Sequence, residues 1–393
     1  MGWVLLRGGH IFDPMDRGVA DLLILDGRIA AVGATLPVPQ GVGEGEVLGV
    51  ADRVVLPGLV DGHIHVMGAS GTGGPTTRTT DLQIERIAGA GVTTVVSPLG
   101  ADSLSRTIPA LLARAAALTL EGITAYCYTG GWRYPVPTLT GDPQTDVAFI
   151  DRVVGVKVAI SEALAPVHSV EDLCRLAHAA YTGGRMAGKG SVLHVHVGDL
   201  PEGLEPLLEV RRRSGVPADR MIATHVNRNP HLWKQALEYA RGGGGIDLTG
   251  MQRPETGHPD AVPAAVAIRE AMAAGIPPSR FTLSTDSGAA YPRFDAEGRA
   301  AGQYMAGPDS LLATMRELTR DGLTWGQAAS YATRHTADRL GFRLKGRLAE
   351  GCDADVLVLT PVGEVERVYA RGRCLVEGGV PVVRGTFDGH ASI

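Results

Sequence analysis

Between Leu56 and Leu344 short apolar runs alternate with longer amphipathic stretches rich in Ala, Leu, Glu and Arg. That order is expected of parallel strands joined by crossover helices. Eight runs read as strands, near Leu59 to His65, Thr93 to Ser97, Ile123 to Tyr128, Val154 to Ile160, Val192 to Val197, Ile222 to His225, Gly245 to Leu248 and Phe281 to Ser284. Helical patterns lie between them, as at Leu104 to Leu120, Leu204 to Arg213, Leu232 to Arg241 and Ala261 to Ala274. Eight strand–helix pairs close a (β/α)8 TIM barrel, which puts the chain in the α/β class.

The flanks carry a different period. Trp3 to Leu6 and Leu22 to Val32 are short apolar strands with a hairpin signal at Asp26-Gly27. Asp355 to Leu359, Val365 to Arg371 and Cys374 to Val383 are again short strands separated by glycine. Both ends are therefore expected to meet in one small β-sandwich-like domain, residues 1–56 with 346–393, beside a catalytic barrel of residues 57–345.

Length agrees, since 393 residues accommodate a barrel of about 250 and an appendage. With 44% hydrophobic and 20% charged residues and a net charge of −5, the chain has the balance of an ordinary soluble protein and no basic field for nucleic acid. No apolar run approaches the roughly 20 residues of a bilayer span. Met1 to Arg7 lack the charged head and cleavage site of a signal peptide, so a cytoplasmic location without membrane contact is expected. Cys127, Cys174, Cys352 and Cys374 form no CxxC pair, which favours free thiols over a disulfide framework or a thiolate zinc site.

Candidate chemistry gathers at the strand ends. His63 and His65, at i and i+2 at the end of the first run, would be sent to one side by strand alternation as two ligands for one metal. Taken alone, such a pair is as readily an accident as a metal site. His196, His225 and Asp286 also fall at or just after the C-terminal ends of later strands, where a barrel assembles its active site. Singly, each would pass for a structural hydrogen bonder or a helix cap; five concordant placements are hard to reach by accident. His194 shares a strand face with His196, and on the residues alone either could be the ligand. Lys157 lies in the apolar run Gly155 to Ile160, where a bare ammonium aimed at the barrel interior carries a severe desolvation cost. Two readings stand for it: a buried ion pair with a carboxylate, or addition of CO2 to give a carbamate whose oxygens bridge two cations.

The run Pro57-Gly58-Leu59-Val60-Asp61-Gly62-His63-Ile64-His65 resembles the opening signature of the amidohydrolase superfamily. Gly74-Pro75-Thr76-Thr77-Arg78-Thr79, Ile150-Asp151-Arg152-Val153, Thr224-His225-Val226-Asn227-Arg228-Asn229 and Val368-Tyr369-Ala370-Arg371-Gly372 are similar to isoaspartyl (β-aspartyl) dipeptidases, from the first barrel strand to near the end of the chain. The resemblance implies two zinc ions held by the HxH pair, a carboxylated lysine, two later histidines and an aspartate. Those positions match His63, His65, Lys157, His196, His225 and Asp286. It selects His196 over His194 through the family's His-x-Gly-Asp, here His196 to Asp199, and it favours the CO2-derived carbamate on Lys157. It further implies hydrolysis of an amide or peptide substrate by water activated between the cations, with Asp286 taking its proton and passing it to the leaving amine, and a symmetric homo-oligomer.

The substrate contacts depart from that pattern. Thr72 stands where the family has a glutamate for the substrate α-amino group, and Ala101 where it has a threonine on the carboxylate. Trp132 replaces a tyrosine at the oxyanion, Leu164 an arginine and Ala290 a serine; Arg228 alone keeps its arginine. A zwitterionic β-aspartyl dipeptide would find its charges poorly paired. The expected substrate has one carboxylate, read by Arg228, and a more apolar or bulkier acyl part near Trp132 and Leu164. Tyr134 is the candidate replacement at the oxyanion, and Glu85 or Glu255 could reach the pocket from other loops. Two alternatives remain: a true isoaspartyl dipeptidase with replacement contacts, and a non-catalytic barrel scaffold. The ligand set also suits manganese or cobalt.

Overall fold

Eight parallel strands form the central sheet of the computed structural model, which describes residues 2–295, 297 and 299–386. They are Leu59–Asp61, Val92–Ser97, Thr124–Gly130, Val153–Ile160, Val192–Val197, Met221–Thr224, Gly245–Thr249 and Phe281–Ser284, each paired with the next. Every residue of seven of the eight is buried, which is why they read as continuous apolar runs with no alternation. Helices cover the outer face. Val170–Met186 turns Leu173, Ala177 and Ala180 inward, and its start is fixed by Ser169, whose hydroxyl accepts from the Asp172 N–H at 3.1 Å. Ile108–Glu121 begins later than the apolar pattern from Leu104 suggests, because Thr107 caps it.

The first and last strands meet across a seam. The carbonyls of Tyr331 and Ala332 accept from the N–H groups of Leu283 (3.0 Å) and Val60 (2.7 Å). Past the strand ends, Asp286 N–H donates to the His63 carbonyl (3.0 Å) and His65 N–H to the Ser287 carbonyl (2.7 Å). The buried Asp61 carboxylate accepts from the N–H of His63 and from the hydroxyl of Thr285. These bonds lace the segment after the first strand to the segment after the eighth, and so bring His63, His65 and Asp286 together. The two histidines therefore sit just beyond Asp61 and not on the strand itself; this lacing, and not strand alternation, aims them.

Both ends of the chain do meet in a small sheet domain, as one nine-stranded sheet. Its middle is the pairing of Val54–Pro57 with Val356–Leu359, where Leu56 faces Leu357. Outward from there run Trp3–Asp13, Met15–Leu25 and Arg28–Gly33 on one side, and Val365–Ala370, Arg373–Glu377 and Val380–Pro381 on the other. Leu6, Ile11, Leu22, Ile24, Ile29, Val55, Val356 and Val358 give this sheet a core separate from the barrel's. Residues 387–393, with His390, lie outside the described residues. Among the described residues no helix is long and apolar enough to cross a membrane.

Lys345 ties the two cores together. Its ammonium, on a side chain only 5% exposed, lies 2.8 Å from each of the Asp353 and Asp355 carboxylates and 2.7 Å from the Thr124 hydroxyl on the third barrel strand. Lys345→Met leaves the buried Asp355 carboxylate without its cation, while Asp353 keeps Arg28, and the expected loss is about 3 kcal/mol of stability. A urea titration reads this as a lower midpoint, and an unchanged midpoint would refute it.

Candidate active site

His63, His65, Lys157, His196, His225 and Asp286 all line one cavity of about 170 Å³ at the C-terminal ends of the barrel strands. His225 and Asp286 take left-handed backbone conformations, with φ of 67° and 54°. Each costs about 1–2 kcal/mol for a residue with a Cβ, a strain found mainly where a side chain must be aimed. His63 Nε2 lies 3.3 Å from His65 Nε2, and Asp286 Oδ1 lies 3.1 Å from the second and 3.6 Å from the first. Donor atoms of His63, His225 and Asp286 fall within 4.8 Å of one another. The Nδ1 of His225 is hydrogen-bonded to the Thr249 hydroxyl at 2.7 Å, which leaves Nε2 for a cation. The His196 ring packs 4.6 Å from that of His225 and 4.4 Å from the Trp132 ring.

Burial holds His63, His196 and His225 well below the ordinary imidazole range, so each keeps the lone pair a cation needs. Burial also pushes the Lys157 ammonium down to about 7, and its Nζ has no hydrogen-bond partner among the described residues. That orphaned amine speaks against a direct ion pair. Burial alone would raise Asp286, but His225, His65 and the Tyr291 hydroxyl outweigh it and hold the carboxyl below its usual range. Neutral imidazoles, an anionic carboxylate and an unpartnered amine able to take up CO2 together fit a pair of divalent cations.

His194 stands behind this group. Its Nε2 is 3.1 Å from His63 Nδ1, its ring stacks on Tyr128 at 4.8 Å, and it does not line the cavity. With His63 and Asp247 it forms a second buried set of donors. The Asp247 carboxylate, however, is already occupied by the hydroxyls of Thr224, Thr282 and Ser284. His194 is thus placed to orient His63 from the far side of the ring.

Thr72, Ala101, Trp132, Leu164 and Ala290 line the cavity, joined by Ala69, Ser70, Gly100 and Ala289. Arg228 lies outside that lining, on the wall of a neighbouring cavity of about 530 Å³. Its Nη1 is 3.4 Å from Asp199 and 3.6 Å from Glu162, and neither its Nε nor its Nη1 makes a hydrogen bond. The expectation for Tyr134 is corrected. The chain turns outward after Trp132, leaving Tyr134 57% exposed with its hydroxyl donated to Asp172 at 3.4 Å, away from the cavity. Glu85 accepts from the Gly385 N–H, and neither it nor Glu255 lines the cavity.

Two residues went unforeseen. Glu162 places its carboxylate 3.2 Å from His196 Nε2. Tyr291, nearly fully buried, donates its hydroxyl to Asp286 Oδ2 at 2.7 Å. Glu162 follows its strand as one acidic residue in a loop, with no sequence signal; an aromatic five residues past Asp286 was the available sign for Tyr291.

A model described as the amidohydrolase family matches residues 261–375. A crystal structure of the β-aspartyl dipeptidase of Fervidobacterium islandicum AW-1, in complex with β-Asp-Leu dipeptide, matches with a TM-score of 0.87 at 31% identity, over 96% of this chain and 98% of that one. The chain belongs to the amidohydrolase superfamily. As an amidohydrolase it is a hydrolase acting on carbon–nitrogen bonds. It is also 28% identical to the imidazolonepropionase of Chromobacterium violaceum over 386 residues, covering 89% of this chain and 87% of that protein. Its match to the dihydroorotase of Acetivibrio thermocellus is 35% identical but confined to 65 residues, 16% of this chain and 14% of that protein's length.

Proposed function

We propose that this amidohydrolase carries a binuclear metal centre and cleaves an amide bond in a small, peptide-like substrate whose acyl part is less polar than a β-aspartyl group. The observation that carries the reading is the convergence of His63, His65, Lys157, His196, His225 and Asp286 on one cavity. These six would hold two divalent cations, with Lys157 contributing as a carbamate; zinc suits the imidazole-rich set. When bound, such cations acidify water to near neutrality and offset negative charge developing on the acyl oxygen. Asp286 takes the proton of the attacking water and returns it to the leaving nitrogen. Thr249 and His194 hold the rings of His225 and His63 in register. Trp132 and Leu164 supply apolar wall for the acyl part, and Arg228, whose Nε makes no hydrogen bond, is the cation for a single carboxylate, in competition with Asp199 and Glu162. A cytoplasmic location fits four unpaired cysteines.

Likeness to an enzyme crystallised with β-Asp-Leu favours a second reading, a β-aspartyl dipeptidase that meets the substrate through replacement contacts such as the Ser70 and Thr72 hydroxyls. Elemental analysis of metal-supplemented protein is expected to find about two equivalents of divalent ion. With that established, N-acyl amino acids and cyclic amides should exceed β-aspartyl-leucine in kcat/KM by roughly tenfold or more. The reverse order would transfer the assignment to the dipeptidase. Only a trace of metal and no turnover would leave a non-catalytic scaffold.

A further inference from the structure

Directly after the eighth strand and Asp286 the chain inserts an antiparallel hairpin, Ala290–Phe294 with Ala300–Met305, in which Tyr291 faces Tyr304. The hairpin is anchored to its surroundings. The Tyr304 hydroxyl donates to the Thr256 carbonyl at 3.2 Å; within the hairpin, the Arg293 guanidinium lies 5.6 Å over the Tyr304 ring. Tyr291 shares a sheet face with Tyr304 but lies deeper in the molecule. It is 3% exposed, with its ring 4.9 Å from that of His258 in an edge contact and 6.1 Å from that of Tyr304. Packed so, the phenol has little freedom, and its single donor goes to Asp286 Oδ2 at 2.7 Å.

The consequence is a division of labour between the two carboxylate oxygens. Oδ1 looks toward His65 Nε2 (3.1 Å) and His63 Nε2 (3.6 Å), while Oδ2 is capped by Tyr291. The torsion that turns a carboxylate about its Cβ–Cγ bond is soft and nearly two-fold. Nothing in Asp286's own backbone, though fixed at φ 54°, sets that torsion and so decides whether one oxygen or both face the histidines. A charge-assisted O–H···O bond does so.

We propose that Tyr291 is a positioning residue for Asp286: its hydroxyl holds one carboxylate oxygen toward the histidine cluster and keeps the other turned aside, so that the group does not chelate through both. Tyr291 does not line the cavity and reaches the chemistry only through Asp286. The inference rests on the reading of the site as a metal-dependent hydrolase.

Tyr291→Phe keeps the ring and its packing and removes only the hydroxyl. The expected result is a fall in kcat of about 10- to 100-fold with KM little changed, the range that follows loss of an outer partner of a metal ligand. The Co2+-loaded variant should show a visible absorption spectrum altered from that of the Co2+-loaded parent, a readout of coordination that needs no turnover. Tyr304→Phe, which loosens the hairpin without touching the bond to Asp286, should keep the parental spectrum and near-parental kcat. An unchanged kcat and spectrum in Tyr291→Phe overturns the proposal, and so does an equal effect from Tyr304→Phe. Both outcomes leave the hydrolase reading standing if the parent protein binds metal; a parent that takes up no divalent ion removes that reading and this inference with it.

Discussion

Asp286→Asn is expected to lower kcat by about 10⁴-fold, the upper end of what a general acid–base group supplies, while the protein stays folded. The reason is local. The bond that seats residue 286 beside the segment after the first strand runs from its backbone N–H to the His63 carbonyl, and asparagine keeps it. What it loses is the negative charge facing His63, His65 and His225 and the oxygen able to take a proton. Steady-state kinetics beside a circular-dichroism melt separate the two effects. An active Asp286→Asn protein would mean that another group serves as base, and Glu162, 3.2 Å from His196, would be the first to test.

Lys157→Ala is expected to reduce divalent metal uptake by at least about 100-fold, more than the loss of an outer partner alone would do, and to abolish turnover. The amine it removes is buried and without a hydrogen-bond partner, and burial lowers it to about 7, so on the proposed reading its deprotonated fraction is available to add to CO2. Two further results follow from the same chemistry. Metal-stripped parent protein should recover faster with bicarbonate than in CO2-depleted buffer, and ¹³C-bicarbonate should yield a carbamate carbon by NMR. Acetate or propionate should restore part of the metal uptake of Lys157→Ala by standing in for the missing carboxylate. Bicarbonate-independent recovery with no carbamate signal would assign Lys157 a purely structural place.

The barrel was legible because its strands are covered on both faces, so they appear as short, mostly apolar runs, and because metal-ligand residue types recur where those runs end. His63, His65, Lys157, His196, His225 and Asp286 could be named together for that reason. Their aim could not be read. The lacing of His63 and His65 to Asp286 and Ser287 is made by backbone groups of two segments more than 200 residues apart, and periodicity carries no record of it. Tyr134 illustrates the opposite error: two residues from a cavity-lining tryptophan, it is turned outward by the loop. Tyr291 lies in a hairpin with Ala300–Met305 that follows the eighth barrel strand and was not among the strands read from the sequence, so its inward direction depends on a pairing that the barrel pattern does not announce. His194 remained ambiguous because two histidines on one strand face differ only in depth, and depth is set by where the strand sits in the barrel.

The pairing of Leu56 with Leu357 imposes a timetable on biosynthesis. At ribosomal speed the intervening stretch takes roughly 15 to 60 s to emerge, and throughout that interval Val54–Pro57 offers a vacant apolar edge. Neighbouring nascent copies present the same edge at the same moment. Overproduction at high temperature therefore favours exchange of these strands between newborn chains, through a segment that the finished molecule buries.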